Sequence, residues 1–209
     1  PNKSLRLYAR EDYGKKTINY PFFDDYPIQK FKRLILRNNG QDNEQALLRD
    51  AFLQDSYEDL NAERQRQIPV IVFINAEYNG IYYLIERYDK KYFDAKFNIS
   101  EDKLDFLSSY EIEEGDSENF KSVMNFVENC SFETEENYNL LSEMIDIENY
   151  TDYVIAQVYS GNMDWPHSNA DFWRKKTDFN PEAPFGHDGR WRWIFKDFDV
   201  GFGQIWIDS

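Results

Sequence analysis

Two clusters of oxygen-bearing side chains near the end of the chain have the residue types needed for proton transfer and metal binding. In the first cluster, Asp164 and Asn169 lie five positions apart (169 − 164 = 5). In the second, Asp197 and Asp199 follow the apolar run 191–195. A carboxylate in a loop can accept the proton of a reacting hydroxyl, and neighbouring carboxylate and amide oxygens suit Mg²⁺. The residue types therefore predict that Asp164 is the catalytic base and that the other three side chains hold the metal.

Each cluster also has an interpretation that involves no chemistry. Asp164 could end a helix by capping a turn, and Asp197 and Asp199 could be strand-end carboxylates, one of which caps Gly201. Alternation along a strand, however, places Asp197 and Asp199 on the same face, with Phe198 opposite. Since a bound cation relieves the repulsion between such close carboxylates, we favour the metal site.

A pair of carboxylates is also the catalytic apparatus of glycoside hydrolases. Asp164 and Asp197 would then be the two catalytic carboxyls, about 5–9.5 Å apart around a sugar-sized groove. The groove would be lined by Trp165, Trp173 and Trp191. This alternative predicts an aromatic groove and no nucleotide binding.

The order of the two clusters along the chain is the order found in protein kinases. Those enzymes have the same interval between a catalytic-loop Asp and a metal-binding Asn, and a second metal-binding Asp follows the next strand. Here the corresponding segments end at Asn169 and Asp197. By the same comparison, Lys3 is the first candidate for a lysine that contacts ATP phosphates, with Lys15 and Lys16 as alternatives. The segment with Glu86 and Arg87 is the candidate for the hinge that binds the nucleotide.

Hydrophobic periodicity predicts an α+β fold that changes character near Asp89. The first part has alternating or apolar runs typical of strands at 4–9, 31–37, 68–74 and 81–88, with a hairpin turn at Asn79-Gly80. A helix is predicted between residue 42 and about residue 60. In the second part we predict helices at 117–129, 134–145 and 147–160, and two short strands at 170–174 and 191–195.

This order of elements predicts two lobes with a cleft between them. Residues 1–89 would form a sheet-rich lobe, and residues 90–209 a helix-rich lobe with a late β-hairpin. Ligands bind at such junctions. The helix at 147–160 would bury Tyr150, Val154, Ile155 and Val158, and Gly161 would end it just before the Asp164 loop.

Composition excludes several classes of protein. The net charge of −15 argues against nonspecific binding to nucleic acid or anionic membrane. The candidates for a local basic groove are the segments 30–33 and 174–176. Cys130 is the single cysteine, so no internal disulfide can form. No apolar run approaches the roughly 20 residues of a transmembrane helix. Because the chain starts at Pro1 in strand-like sequence, we interpret it as a fragment, so the absence of a signal peptide from these residues excludes nothing.

Five segments, in order, resemble the CotH spore-coat kinase family. The resemblance spans nearly the whole chain, and the order of the segments makes it specific. They are Lys3-Ser4-Leu5-Arg6-Leu7-Tyr8; Leu36-Arg37-Asn38-Asn39-Gly40-Gln41-Asp42 with Leu48-Arg49-Asp50; Asn79-Gly80 through Arg87; Asn162-Met163-Asp164-Trp165 through Asn169; and Trp191-Arg192-Trp193-Ile194 through Gly203.

The resemblance implies an atypical protein-kinase-like fold and transfer of the ATP γ-phosphate to Ser/Thr hydroxyls of a protein substrate, such as a spore coat or surface protein. Asp164 would be catalytic, Asn169 and Asp197 would bind Mg²⁺ or Mn²⁺, and Asp199 would support the metal. A spore coat, cell-surface or secreted location is implied as well. Family members carry more sheet before residue 3 and continue past residue 203. The alternative is a noncatalytic scaffold or pseudokinase of a coat or cell-surface assembly.

Overall fold

The computed structural model describes residues 3–203, which form a mixed α+β fold with antiparallel sheets, as predicted. The strands are β1 Leu5–Tyr8, β2 Ile18–Asn19, β3 Lys30–Phe31, β4 Arg33–Arg37, β5 Gln67–Ile74, β6 Glu77–Glu86, β7 Leu104–Ser108, β8 Glu111–Glu114, β9 Asp171–Lys175 and β10 Arg192–Ile194. The α-helices are α1 Arg49–Ser56, α2 Lys90–Phe97, α3 Glu118–Asn129, α4 Glu135–Met144 and α5 Ile147–Ser160, and short 3₁₀ helices cover Glu11–Tyr13, Gly40–Glu44 and Glu101–Lys103. Among these residues, no helix is long and apolar enough to cross a membrane.

The first sheet has the strand order β1-β4-β6-β5 and contains all four strands predicted before residue 89. Alternation along β4 turns Leu34 into a buried cluster with Leu84 of β6, beneath Phe23, Tyr26 and Phe31. The intervening β4 residues therefore face the other side of the sheet. These are Arg33, Ile35 and Arg37.

The hairpin between β5 and β6 turns at a different place from the one predicted. Ile74 pairs with Glu77, so the two-residue loop is Asn75-Ala76, and both residues have positive φ (52° and 67°). Positive φ at both positions is the geometry of a type I′ turn, which Asn tolerates. Gly80 instead lies within β6, opposite Val72 and next to a register shift, where glycine accommodates a bulge.

The part of the chain after residue 89 contains a second sheet, which the sequence analysis did not predict. Its order is β10-β9-β7-β8, so the predicted late hairpin of β9 and β10 exists but is half of a four-stranded sheet. Strand β7 was missed because Asp105 interrupts its apolar pattern. The Asp105 carboxylate is buried and paired with Arg174 at 3.1 Å and with Lys176 at 3.1 Å, which offsets its desolvation.

The helix that leads to the Asp164 loop has the predicted bounds but buries another face. Ile155 and Val158, predicted to be internal, are 55% and 65% exposed, whereas Asn149 and Gln157 are 1% exposed. Asn149 is buried because its side chain bonds to backbone: it donates to the carbonyls of residues 61 and 193 and accepts from N–H of residue 193. The α5 helix ends at Gly161, whose φ is +57°.

Candidate active site

An arginine at the end of β4 gathers three carboxylates from distant parts of the chain. The Arg37 guanidinium pairs with Asp199 at 3.0 Å, with Asp50 at 3.5 Å, and with Asp197. Burial opposes the charge on Arg37, but the three carboxylates outweigh it and raise the pKa of Arg37 above its ordinary value. The two predicted metal-binding carboxylates thus converge on a single nitrogen, Nη2, which donates to both.

Asp199 is the more buried carboxylate of this pair. Its side chain is 6% exposed, against 25% for Asp197, and it also accepts a hydrogen bond from the Gln41 N–H at 3.0 Å. Burial first, and then the neighbouring charge of Asp197, raise the pKa of Asp199 to about 7. A side chain at Gly40 would overlap the Asp199 carboxylate, and the φ of Gly40 is +49°, so the close approach requires glycine.

Asp50 ties α1 to the segment that carries Asp197. Its carboxylate accepts hydrogen bonds from the Phe198 N–H at 2.8 Å, from Gln54 at 2.8 Å and from Gln67 at 3.3 Å. Four donors, including Arg37, satisfy this buried carboxylate, so hydrogen bonds fix the position of the Asp50 side chain within the site.

The loop after α5 lies against the same segment. Asn162 donates from Nδ2 to the Asp197 carbonyl at 3.2 Å, and this bond connects the loop that carries Asp164 to the segment that carries Asp197. Asp164 and Asn169 are both half-buried. Within residues 3–203 their side chains form no hydrogen bond or ion pair, since only their backbone atoms are bonded. Their polar atoms are therefore available to a ligand. Asn169 itself has positive φ and donates its N–H to the Ser109 Oγ at 3.1 Å.

An ion pair with a buried aspartate also joins the segment after Asn169 to the segment that carries Asp197. Lys196, which precedes Asp197, donates to the Asp171 carboxylate at 3.0 Å and to the Ser108 Oγ at 2.7 Å. Asp171 follows Asn169 by two residues and is 1% exposed. Burial raises the pKa of Asp171, while Lys196 opposes that effect. The pair therefore holds the start of β9 next to the end of β10.

The predicted hinge residues have side chains that are already engaged. Glu86 is 3% exposed and lies on the Leu34 side of the sheet, opposite to Arg37. It accepts hydrogen bonds from the Tyr26 hydroxyl at 2.7 Å and from the Arg66 N–H at 3.2 Å. Arg87 donates to the Tyr8 hydroxyl at 2.7 Å. The role of the two residues in nucleotide binding stays a prediction.

Glu86 should make the stability of the protein depend on pH. Burial raises the pKa of Glu86 from 4.5 to about 7, even though Tyr26 and Lys96 favour its charge. Between these two values the unfolded chain releases a proton that the folded chain retains. The free energy of unfolding should therefore fall, by roughly 2–3 kcal/mol, as the pH rises from 4.5 to 7. About one pH unit above the folded-state pKa, Glu86 is ionised in both states and this contribution becomes constant.

Urea unfolding at pH 5 and pH 8 measures this effect. The change between the two pH values should be smaller in Glu86→Gln than in the parent, whereas Glu77→Gln, at an exposed position, should behave as the parent does. An unchanged pH dependence in Glu86→Gln would show that Glu86 titrates at its ordinary pKa.

The cation that lies beside Asp197 and Asp199 is Arg37, to which no role was assigned from sequence. Lys3 is exposed just before β1, and its carbonyl accepts from the Tyr82 hydroxyl at 3.4 Å. Its contact with phosphate stays a prediction. Arg37 was noted only within a family segment. The usable signal in the sequence was an arginine at the end of a predicted strand, followed by the turn residues Asn38-Asn39-Gly40. In the structure Asn39 and Gly40 both have positive φ.

The residues present fit a small oxygen-liganded metal site and not a carboxylate cage. Within residues 3–203, no three His, Cys, Asp or Glu side chains are arranged to hold a metal ion. The point that Asp197 and Asp199 share is occupied by Arg37 Nη2, so the oxygen donors left for an ion are Asp197, whose side chain is 25% exposed, and the unengaged amide of Asn169 on the adjoining loop. Such a small set matches the few protein ligands that Mg²⁺ takes when water and phosphate complete its shell.

The aromatic groove expected of a glycoside hydrolase is not formed. Trp173 and Trp191 are both fully buried, in two separate core clusters. They pack against Phe93 and Phe172 respectively. Because neither indole reaches the surface, they cannot line a sugar-binding groove.

Comparison with known proteins agrees with the resemblance found in the sequence. No curated protein matches the chain significantly. The family described as CotH kinase protein matches residues 1–209, the whole chain. The protein therefore belongs to the CotH kinase family.

Proposed function

We propose that the protein is a metal-dependent protein kinase that transfers the γ-phosphate of ATP to Ser/Thr hydroxyls. One observation carries the proposal: Arg37, Asp197 and Asp199 converge beside a loop whose Asp164 and Asn169 side chains are unengaged. Such a site offers a cation for phosphate, oxygen ligands for Mg²⁺ or Mn²⁺, and a carboxylate for the hydroxyl. Family membership supports a kinase-like role.

The arrangement of the first sheet also supports a kinase-like plan of two lobes, 1–89 and 90–209. In protein kinases a strand Lys pairs with a helix Glu, and the pair must form for activity. Here Arg37 of β4 pairs with Asp50 in the first turn of α1. Arg in place of Lys suits bidentate binding of phosphate, so Arg37 is our stronger candidate for the phosphate contact and Lys3 is secondary.

Each side chain has a defined task in the proposed reaction. Asp164 orients the substrate hydroxyl and accepts its proton as the hydroxyl oxygen bonds to the γ-phosphorus; the bond from that phosphorus to the bridging β-phosphate oxygen breaks, and ADP leaves. Asn169 and Asp197 would hold the metal, and Asp199 would support them from its buried position. When bound, the metal neutralises charge on the phosphates. Arg37 balances the charge of the carboxylates and contacts phosphate oxygens.

Asp197 should be the principal metal ligand. Asp197→Ala should weaken the binding of Mg-ATP more than Asp199→Ala, because Asp197 is the more exposed carboxylate and Asp199 is already held by the Gln41 N–H. Calorimetric titration of each variant with Mg-ATP measures the difference. In titrations with ATP and a chelator the two variants should be alike. Equal or reversed losses with Mg-ATP would show that the wrong carboxylate has been chosen.

A transfer assay decides between a kinase and a noncatalytic module. The protein is incubated with γ-labelled ATP and a Ser-containing peptide library, with Mg²⁺, with Mn²⁺ or with a chelator. We expect label in the peptides only with a divalent ion. Binding of Mg-ATP without transfer would favour a pseudokinase or scaffold. The natural substrate that we propose is a coat or cell-surface protein, in keeping with the name of the family.

A further inference from the structure

A group of cationic side chains surrounds Tyr8 at the end of β1, apart from the acidic residues of the candidate active site. The guanidinium carbons of Arg10, Arg33 and Arg87 lie 5.8, 5.6 and 5.9 Å from the centre of the Tyr8 ring. Arg87 also donates to the Tyr8 hydroxyl. We call these four residues the Tyr8 cluster. Burial alone would raise the pKa of Tyr8, but Arg87 and Arg6 outweigh it and lower the pKa.

The positive charge of the Tyr8 cluster is only partly balanced. One carboxylate, Asp89, pairs with Arg33 at 2.7 Å and with Arg87 at 3.6 Å. Arg10 is exposed and has no ion pair within residues 3–203. Three guanidiniums close to one point repel each other, and an anion would remove that repulsion. This excess of positive charge occurs in a chain whose net charge is −15.

A cleft beside the cluster adds further cations. Its charged lining residues are five cations and two carboxylates: Arg33, Arg87, Lys30, Lys32 and Lys91, with Glu86 and Asp89. It thus includes the basic segment 30–33, whose charge the proposed active site does not use. The planar guanidinium is the side chain that binds phosphate bidentately, so the chemistry on this face is that of phosphate recognition.

The Tyr8 cluster is separate from the acidic centre but on the same face of the sheet. Tyr8 pairs with Arg33, and Arg33 and Arg37 point the same way because they are four residues apart on β4. At about 3.3 Å a residue, the two positions are roughly 13 Å apart. If ATP phosphates lie at Arg37, as in the proposed function, the anion at the Tyr8 cluster must come from another molecule.

We propose that the Tyr8 cluster binds the phosphoryl group of a phosphorylated protein segment. A segment that already carries phosphoserine would thereby be retained close to the catalytic face. The assignment of a protein rather than ATP as the source rests on the proposed function, whereas the binding of a phosphoryl group rests only on the cluster.

Peptide binding to the whole chain tests the proposal without any turnover. The probe is a fluorescent peptide, otherwise uncharged, with one central phosphoserine, and its serine counterpart is the reference. We expect the phosphopeptide to bind at least tenfold more tightly than the serine peptide. Arg10→Gln should reduce its affinity about tenfold, as loss of a charged hydrogen bond does. Because Arg10 has no ion pair, folding should be unaffected. Lys103→Gln, which removes another exposed cation, should have no effect.

Two further measurements distinguish a phosphorylated protein segment from ATP as the ligand of the Tyr8 cluster. Asp197→Ala should bind the phosphopeptide as the parent does, which makes the result independent of the proposed catalytic site. ATP without divalent ions is then titrated into the parent and into Arg10→Gln. If ATP but not the phosphopeptide depends on Arg10, the cluster is a nucleotide subsite and the proposal is overturned. Equal affinity for the two peptides would also overturn it.

Discussion

Asp164→Asn should lower the rate of phosphoryl transfer by about 10²- to 10⁴-fold while the fold and the affinity for Mg-ATP stay nearly unchanged. A positioned base contributes a factor of this size. The side chain has no hydrogen bond or ion pair inside the described part of the chain, so its replacement by an isosteric amide removes no internal contact. Single-turnover kinetics with labelled ATP, together with a nucleotide titration, measure the two quantities separately.

The matched control for this prediction is Asp59→Asn. Asp59 is an exposed aspartate outside the site, and its replacement should leave transfer at the parental rate. Transfer by Asp164→Asn at that same rate would show that another group accepts the hydroxyl proton. Loss of Mg-ATP binding in Asp164→Asn would instead place Asp164 among the metal ligands.

Arg37→Met should lower the free energy of unfolding by about 3–5 kcal/mol at neutral pH. The substitution keeps an apolar stem but leaves Asp50, Asp197 and Asp199 without their shared cation, and removal of one partner from a buried ion pair has this cost. The loss should shrink as the pH falls towards 4, because the carboxylates can then be protonated. Denaturant unfolding at both pH values measures the effect.

Arg64→Met provides a control of the same chemistry in a different environment. Arg64 also pairs with two carboxylates, Asp55 and Glu58, but each of these side chains is 59% exposed. Solvent therefore stabilises the acids when the arginine is removed, and the loss from those pairs should be about 1 kcal/mol or less. If Arg37→Met cost no more than Arg64→Met, the three carboxylates would not depend on Arg37.

Local sequence was sufficient for features that arise from neighbouring residues. The α5 helix has the predicted bounds because Asp146 caps its start and Gly161 takes the left-handed conformation at its end. The helices α3 and α4 and the four strands of the first sheet also follow their local patterns. Family membership was determined by ordered motifs along the chain, and the family match over residues 1–209 confirms it.

Tertiary structure decided which of these residues meet. Asn149 and Gln157 of α5 are buried, whereas the apolar pattern predicted burial of Ile155 and Val158. Asn149 is buried because its side chain bonds to the backbone of residues 61 and 193, which are distant in sequence. Asp105 lies in a strand because Arg174 compensates its charge. Hydrophobic periodicity takes no account of such long-range partners, whether backbone groups or a guanidinium.

The acidic residues of the candidate site were identified from sequence by their spacing, but their organisation was not. Asp197 and Asp199 are brought to Arg37, about 160 residues earlier, and to Asp50 only when β4, α1 and the end of β10 pack together. The register of β6 against β4 pairs Glu86 with Leu34 and so turns Glu86 to the face opposite Arg37. Spacing along a chain specifies which side chains are available for chemistry, whereas the charge balance around them depends on contacts between segments that folding alone makes neighbours.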